Sequence, residues 1–227
     1  MNEPDNKLIS IIIPCKNGEK YLEQTLNGIK KQNMNVEVIV IDDGSTDNTF
    51  NIAKSHGCKV IHNDQSKGPV KAKNQGLKIA KGEYIMFHDS DDIMNDGALF
   101  WLYNEISENY GIYAVEAKIK DFISPDMPEN EKQKTKVKPE PYYGLFTGAI
   151  LIRKSAFDKI GLFNESVKAG EIIDWQHRMD KHGLKIKKLD IISTNRRLHS
   201  NNFGKTSQKT EFKDYAALLR AKLKNKK

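Results

Sequence analysis

The chain has 227 residues, 38% apolar and 30% charged, which suits a globular domain with a sizeable core and excludes a disordered or membrane-embedded one. Its formal net charge is +7, but residues 205–227 hold eight Lys or Arg against Glu211 and Asp214, about +6 of the total. The remainder is nearly neutral, so no nucleic-acid-binding surface is expected over the domain. The apolar run "LISIII" ends at Pro14, too short to span a bilayer or act as a secretory signal, so a cytoplasmic chain is expected. Cys15 and Cys58 have neither metal-ligand spacing nor disulfide density and read as reduced structural thiols.

Apolar runs alternate with helix-period segments. Strands are expected at 7–13, 36–41, 58–62 and 83–88, each bounded by turn residues. Between them come helices at 19–32, with Leu22, Leu26 and Ile29 at helical spacing, at 46–55 after a cap-like Ser45 or Thr46, and at 69–80 opening on Pro69. This alternation predicts an α/β fold, a Rossmann-like, mostly parallel sheet flanked by helices. A helix at 96–108 and a strand at 112–120 follow. Residues 124–141 hold four of the seven prolines and read as an exposed mobile loop. Beyond it come a helix across "GEIIDWQHRMDKHG", one or two strands ending in "RRLHSNN", and a basic helical tail at about 208–225. The organisation expected is therefore a half at 1–123, the loop, a second half at 142–204 and the tail at 205–227.

The polar segments "PCKNG", "DDGSTD", "NDQSKG" and "DSDD" each follow a strand, and in an open parallel sheet ligands bind outside the carboxyl ends of the strands. "DSDD" sets Asp89, Asp91 and Asp92 together at a strand end. Carboxylates that close repel one another unless a cation is shared, and hard Mn2+ or Mg2+ suits them. The plainer reading is an acidic cap on the next helix. A phosphatase with a nucleophilic Asp is disfavoured, since its motif usually sits on the first strand and continues to a hydroxyl residue, whereas here Ile93 follows.

"SIIIPCKNGEKYLEQTL", "VEVIVIDDGSTDNT", "GPVKAKNQGLKIAKGEYIMFHDSDD" and "FTGAILIRKSAFDKIGLFNE", in this order across about residues 8–200, resemble the family 2 glycosyltransferases with the GT-A fold. The resemblance implies a nucleotide-binding half followed by an acceptor-side region. It implies that Pro14, Lys16, Asn17 and Glu19 line a nucleotide pocket, that Asp43 reads the base, usually uracil, and that Lys73 lies near ribose or phosphates. It further implies that Asp89 and Asp91 hold Mn2+ or Mg2+ on the donor diphosphate, that Ser90 between them belongs to the nucleotide-sugar site, and that His199 completes the metal shell or contacts the diphosphate.

An inverting transferase also needs a general base for the acceptor hydroxyl. The family commonly supplies it from an acidic motif, and this chain departs there, with Ile172 where a second acid often sits. Glu171 is the expected base and Asp174 the runner-up, on the argument that i and i+3 share a helix face. Trp175 is read as acceptor wall, against the plainer reading of a core aromatic.

The expected partners are a nucleotide-diphosphate sugar, most simply a UDP-sugar, and an acceptor (glycan, lipid, small molecule or peptide) that the sequence does not name. The absence of a Q-x-x-R-W signature favours adding a single sugar. The tail reads as a solvated helix, a peripheral contact with anionic lipid at the inner membrane face, or a grip on an acidic acceptor. Two other functions stay open: a sugar nucleotidyltransferase, although "PCKNGEK" has only one glycine for a triphosphate loop, and a binding protein that kept the fold and lost the base.

Overall fold

The computed structural model describes residues 7–144, 147–167 and 170–202. In chain order its elements are β1 (Ile9–Cys15), α1 (Leu22–Lys30), β2 (Val36–Asp43), α2 (Thr49–Ser55), β3 (Lys59–Asn63), α3 (Pro69–Ile79), β4 (Tyr84–Phe87) and β5 (Ile93–Met94). They continue as α4 (Ala98–Glu108), β6 (Ile112–Ile123), α5 (Glu129–Lys132), β7 (Ile150–Arg153), α6 (Lys154–Ile160), α7 (Glu171–Lys181) and β8 (Lys185–Leu198). All eight strands join one sheet in the order β3-β2-β1-β4-β7-β6-β8-β5. The first four are parallel, β7 runs antiparallel to β4 and β6, β8 pairs parallel with β6, and short β5 antiparallel with β8.

β1 is central and covered on both faces, which is why four of its first five residues are isoleucine. Ile9, Ile11 and Ile13 point to a layer with Leu22, Leu26, Leu99 and Leu102, while Ile12 points to the other layer with Ile39, Ile41, Phe87, Phe157 and Trp175. Gly76 lets α3 lie directly on β1, since a Cβ there would stand 2.4 Å from Ile12 Cγ2. That close approach sets the position of Lys73, one turn earlier on α3.

Several boundaries differ from expectation for local reasons. α1 and α2 start about three residues late, because residues 18–21 form a turn on the Gly18 carbonyl and 45–48 are engaged in bonds between loops. β6 runs to Ile123, and the region expected as one or two strands is the single 14-residue β8, whose pairing with β6 carries register shifts. Residues 124–141 are mostly exposed, yet they contain α5 and bury Met127. Trp175 corrects the acceptor-wall expectation: it is fully buried, 4.8 Å from the Phe157 ring and 6.1 Å from Phe163. The expected tail helix lies outside the described residues.

Candidate active site

A cleft of about 1100 Å³ opens at the carboxyl ends of β1, β2 and β4. Its lining includes Pro14, Lys16 and Asn17 from the loop after β1, Asp43 from β2, Lys73 from α3, Asp89, Ser90, Asp91 and Asp92 after β4, Glu171 at the start of α7, and His199 after β8.

The loops after β1 and β2 are laced together. The Asn17 N–H donates to Ser45 Oγ (2.8 Å), Thr46 N–H to Asn17 Oδ1 (2.9 Å), and Gly18 N–H to Thr49 Oγ1 (2.8 Å). Asn17 takes a left-handed conformation (φ 52°), a strain that asparagine tolerates. Glu19 departs from its expected role. Its carboxylate accepts the Asn48 N–H (3.0 Å) at the start of α2, and it is not among the cleft-lining residues.

Asp43 lines the cleft with both oxygens engaged. It accepts Lys67 N–H (2.9 and 3.0 Å), Gly68 N–H (2.8 Å), Ser66 Oγ (2.7 Å) and Asn63 Nδ2 (2.9 Å). Burial works against its charge, but the donors from Lys67, Ser66, Gly68 and Asn63 outweigh it and hold the carboxyl below its usual range. Asp43 therefore orders the 63–68 wall from inside the cleft.

The aspartate turn is held by its backbone. His88 Nδ1 bonds the Asp89 carbonyl (2.9 Å), Thr25 Oγ1 donates to the Ser90 and Asp92 carbonyls (3.0 and 2.8 Å), and Arg197 Nε donates to that of Asp91 (2.8 Å). All four carbonyls of 89–92 are thus occupied. One oxygen each of Asp89, Asp91 and Asp92 lies within 4.8 Å of the others. Burial, together with the neighbouring carboxylates, pushes Asp89 up to about 6 and Asp92 well above its usual range. Asp92 Oδ2 is buried with no hydrogen-bond partner among the described residues. An oxygen-rich, mutually repelling set with an orphaned buried carboxylate oxygen fits a hard divalent cation. His199 joins it, its Nε2 2.7 Å from Asp91 Oδ2. Asp92 belongs to this group too, as the adjacency in "DSDD" already hinted.

On the opposite wall Lys73 Nζ lies 2.5 Å from Glu171 Oε1 and 2.9 Å from Thr147 Oγ1. Lys73 and Glu171 are only 6% and 8% exposed. Burial disfavours the Glu171 anion, but Lys73 overcomes this and holds the carboxyl below its usual range. Gly170, at φ 78°, turns the chain into α7 so that Glu171 meets the cleft. Asp174 does not: it pairs with Arg178 Nε (2.9 Å), one turn further along α7 and outside the lining, so the shared-face expectation fails. Trp175 packs in the core. Ile172, where a second acid was sought, lines the wall beside Glu171. Cys15 lines the cleft, and burial pushes its thiol up to about 12, leaving it inert.

The sequence reading missed Thr147, Tyr21, Asp126 and Met127 as lining residues. Tyr21 packs against His199 with ring centroids 4.9 Å apart and the rings tilted by 52°, and its hydroxyl donates to Asp126 (2.9 Å). Only the pairing of distant segments reveals these.

The family model for glycosyl transferase family 2 matches residues 10–161. The chain belongs to this family. Among curated relatives it is similar to the glycosyltransferase GlyG of Streptococcus pneumoniae, 39% identical over 109 residues, 45% of this chain and 36% of that one. It is also similar to the poly(ribitol-phosphate) beta-N-acetylglucosaminyltransferase TarP of Staphylococcus aureus, 31% identical over 166 residues, 67% of this chain and 51% of that one. Among solved structures, S. aureus TarS 1-349 in complex with UDP-GlcNAc superposes with a TM-score of 0.71 at 26% identity, covering 88% of this chain and 61% of that chain. The family 2 chain described here spans roughly a third to a half of the length of these curated relatives.

Proposed function

We propose that this chain is a metal-dependent, inverting glycosyltransferase that moves one sugar, a hexose or N-acetylhexosamine, from a UDP-sugar to a glycan, lipid, small-molecule or peptide acceptor. The observation that carries this reading is the convergence of Asp89, Asp91, Asp92 and His199 on one side of the cleft, facing the Lys73–Glu171 pair on the other. The UDP-GlcNAc complex of TarS and the name of TarP support the donor class.

Asp89, Asp91 and Asp92, with His199, would hold Mn2+ or Mg2+. When bound, the ion supplies Lewis-acid neutralisation of the charge that develops on the departing diphosphate. Pro14, Lys16, Asn17 and Ser90 shape the nucleotide side. Asp43, by fixing residues 63–68, holds the wall against which the base lies. The acceptor oxygen attacks the anomeric carbon as the bond to the diphosphate oxygen breaks, and Glu171 takes the hydroxyl proton. While Lys73 neutralises it, Glu171 is a weak base. The donor phosphates give Lys73 another anion and free the carboxylate.

The test is UDP release from UDP-GlcNAc and UDP-glucose with Mn2+, across acceptors of the four classes. Glu171→Gln should abolish release and retain UDP binding; release unchanged in that variant would remove Glu171 as base. Ile172 in the wall favours the second reading, a nucleotide-sugar-binding protein without transfer, in which Glu171→Gln leaves a background rate untouched. Among the described residues no helix is long and apolar enough to cross a membrane. A cytoplasmic enzyme whose tail touches anionic lipid is part of the same proposal, and deleting residues 208–227 should then abolish salt-sensitive liposome co-sedimentation.

A further inference from the structure

Arg197 is 4% exposed, and it sits beneath the aspartate turn where it does not line the cleft. Its neighbour Arg196 does line the cleft, so the alternation of β8 sends the two arginines to different surroundings. The guanidinium fork of Arg197 reaches three different elements. Nε donates to the Asp91 carbonyl (2.8 Å), Nη1 to Ser124 Oγ (3.2 Å) at the end of β6, and Nη2 to Gln24 Oε1 (2.6 Å) on α1. The guanidinium also lies 4.6 Å from the Tyr21 ring centroid and 4.8 Å from that of Phe122. Its backbone takes part as well: the N–H donates to Asp92 Oδ1 (2.8 Å), and the carbonyl accepts Asn202 Nδ2 (3.0 Å). Asn202 Oδ1 in turn receives the His199 N–H (2.5 Å), and His199 Nε2 meets Asp91.

A buried arginine of this kind cannot meet a donor phosphate. One arm of its fork ends on the backbone of the very turn whose aspartates line the cleft, and the other two tie that turn to Ser124 and Gln24. The turn's own internal bond, from Asp92 N–H to the Asp89 carbonyl, is long at 3.4 Å, so its shape depends on side chains from other elements. Thr25 holds the Ser90 and Asp92 carbonyls, and Arg197 alone among the described residues holds that of Asp91. Ser124 joins the same fork to the wall at Asp126 and Met127, because Ser124 Oγ also donates to Asp126.

Resting on the metal-dependent reading above, we propose that Arg197 is the positioning residue of the metal centre. It sets Asp91, Asp92 and His199 at the spacing a cation requires and ties them to the wall at residues 124–128. A lysine keeps the charge but cannot present a planar three-way fork or stack between two rings, so Arg197→Lys is the informative change.

The experiment measures Mn2+ affinity in the presence of saturating UDP, from the free-Mn2+ electron paramagnetic resonance signal, alongside the melting temperature. Arg197→Lys should weaken Mn2+ binding at least tenfold. Gln24→Met and Ser124→Ala, which each remove one arm of the fork, should weaken it by a smaller factor in the same direction. These two milder variants carry the test if Arg197→Lys does not fold. Arg153→Lys is the control, since Arg153 bridges the Ile106 and Ile112 carbonyls and the Tyr84 hydroxyl away from the cleft. It should lower the melting temperature without changing Mn2+ affinity. If the Arg197, Gln24 and Ser124 variants lose melting temperature as the control does and bind Mn2+ as tightly as the unaltered chain, the inference is overturned while the proposed function stands. If the unaltered chain binds no Mn2+ with UDP, both fall.

Discussion

Replacing Lys73 with methionine keeps most of the side-chain volume and removes the charge that neutralises Glu171. At 2.5 Å, with an effective dielectric constant of about 20, the Coulomb attraction of the pair is roughly 7 kcal/mol, much of it offset by desolvation of both ions. Removing one partner leaves a carboxylate that is 8% exposed without its cation, and such losses cost about 3–5 kcal/mol. Against a domain stability of about 5–15 kcal/mol this is a large fraction. The pH dependence supplies a second signature. In the unaltered chain the Glu171 carboxyl is held below 4.5, so its stabilisation is present above that pH and is lost as pH falls below it. Without Lys73, burial is opposed only by a backbone hydrogen bond and should raise the carboxyl above its usual range, so the variant should lose stability as pH rises through that raised value. Urea unfolding at pH 7 and at pH 5 should therefore show a deficit of about 3–5 kcal/mol that shrinks on acidification. The double change Lys73→Met with Glu171→Leu should recover most of it. A deficit below about 1 kcal/mol, or one indifferent to pH, would refute the argument that the pair is buried and mutually dependent.

Asp174→Asn should keep both transfer and nucleotide binding and cost less than about 0.5 kcal/mol in urea unfolding, because it breaks one i,i+4 pair on the outer side of α7. Asp43→Asn should cost about 1–3 kcal/mol and weaken UDP binding measured by calorimetry, since its amide would set N–H against the N–H groups of Lys67 and Gly68. A cation bound as proposed would have to displace the proton from Asp89, whose carboxyl is pushed up to about 6. Asp92, also raised, adds a second proton to displace, so Mn2+ affinity should fall by at least tenfold per unit as pH drops below about 6, in titrations from pH 5 to 7.5.

The centre of the sheet was legible because β1 and the second half of β2 are buried on both faces, so Ile9–Ile13 and Val38–Ile41 read as apolar runs ended by polar turns. The same logic located the cleft, since each polar turn follows a strand whose direction the helical crossovers dictate. Contacts across the chain were not legible. Lys73 and Glu171 are 98 positions apart, and nothing local announces their pairing. Asp174 and Trp175 failed for a related reason: Glu171 is the first residue of α7, at the rim, and one turn further on that helix is already beside core or solvent. Glu19 failed because its carboxylate turns to the Asn48 N–H at the start of α2 and away from the cleft. The 124–141 segment has the composition of a loop, and only the burial of Met127 and the bonds of Ser124 and Asp126 show that it builds a wall.

The account rests on a nucleotide diphosphate held through a cation on the aspartate turn. Its most direct test is calorimetric titration of the chain, and of its Asp91→Asn variant, with UDP, GDP, dTDP and CDP, each with Mn2+ and again with EDTA. The account predicts that UDP binds with Mn2+, that EDTA or Asp91→Asn weakens this binding at least tenfold, and that the other diphosphates bind more weakly. UDP affinity unchanged by EDTA and by Asp91→Asn, or no binding of any diphosphate, would contradict it.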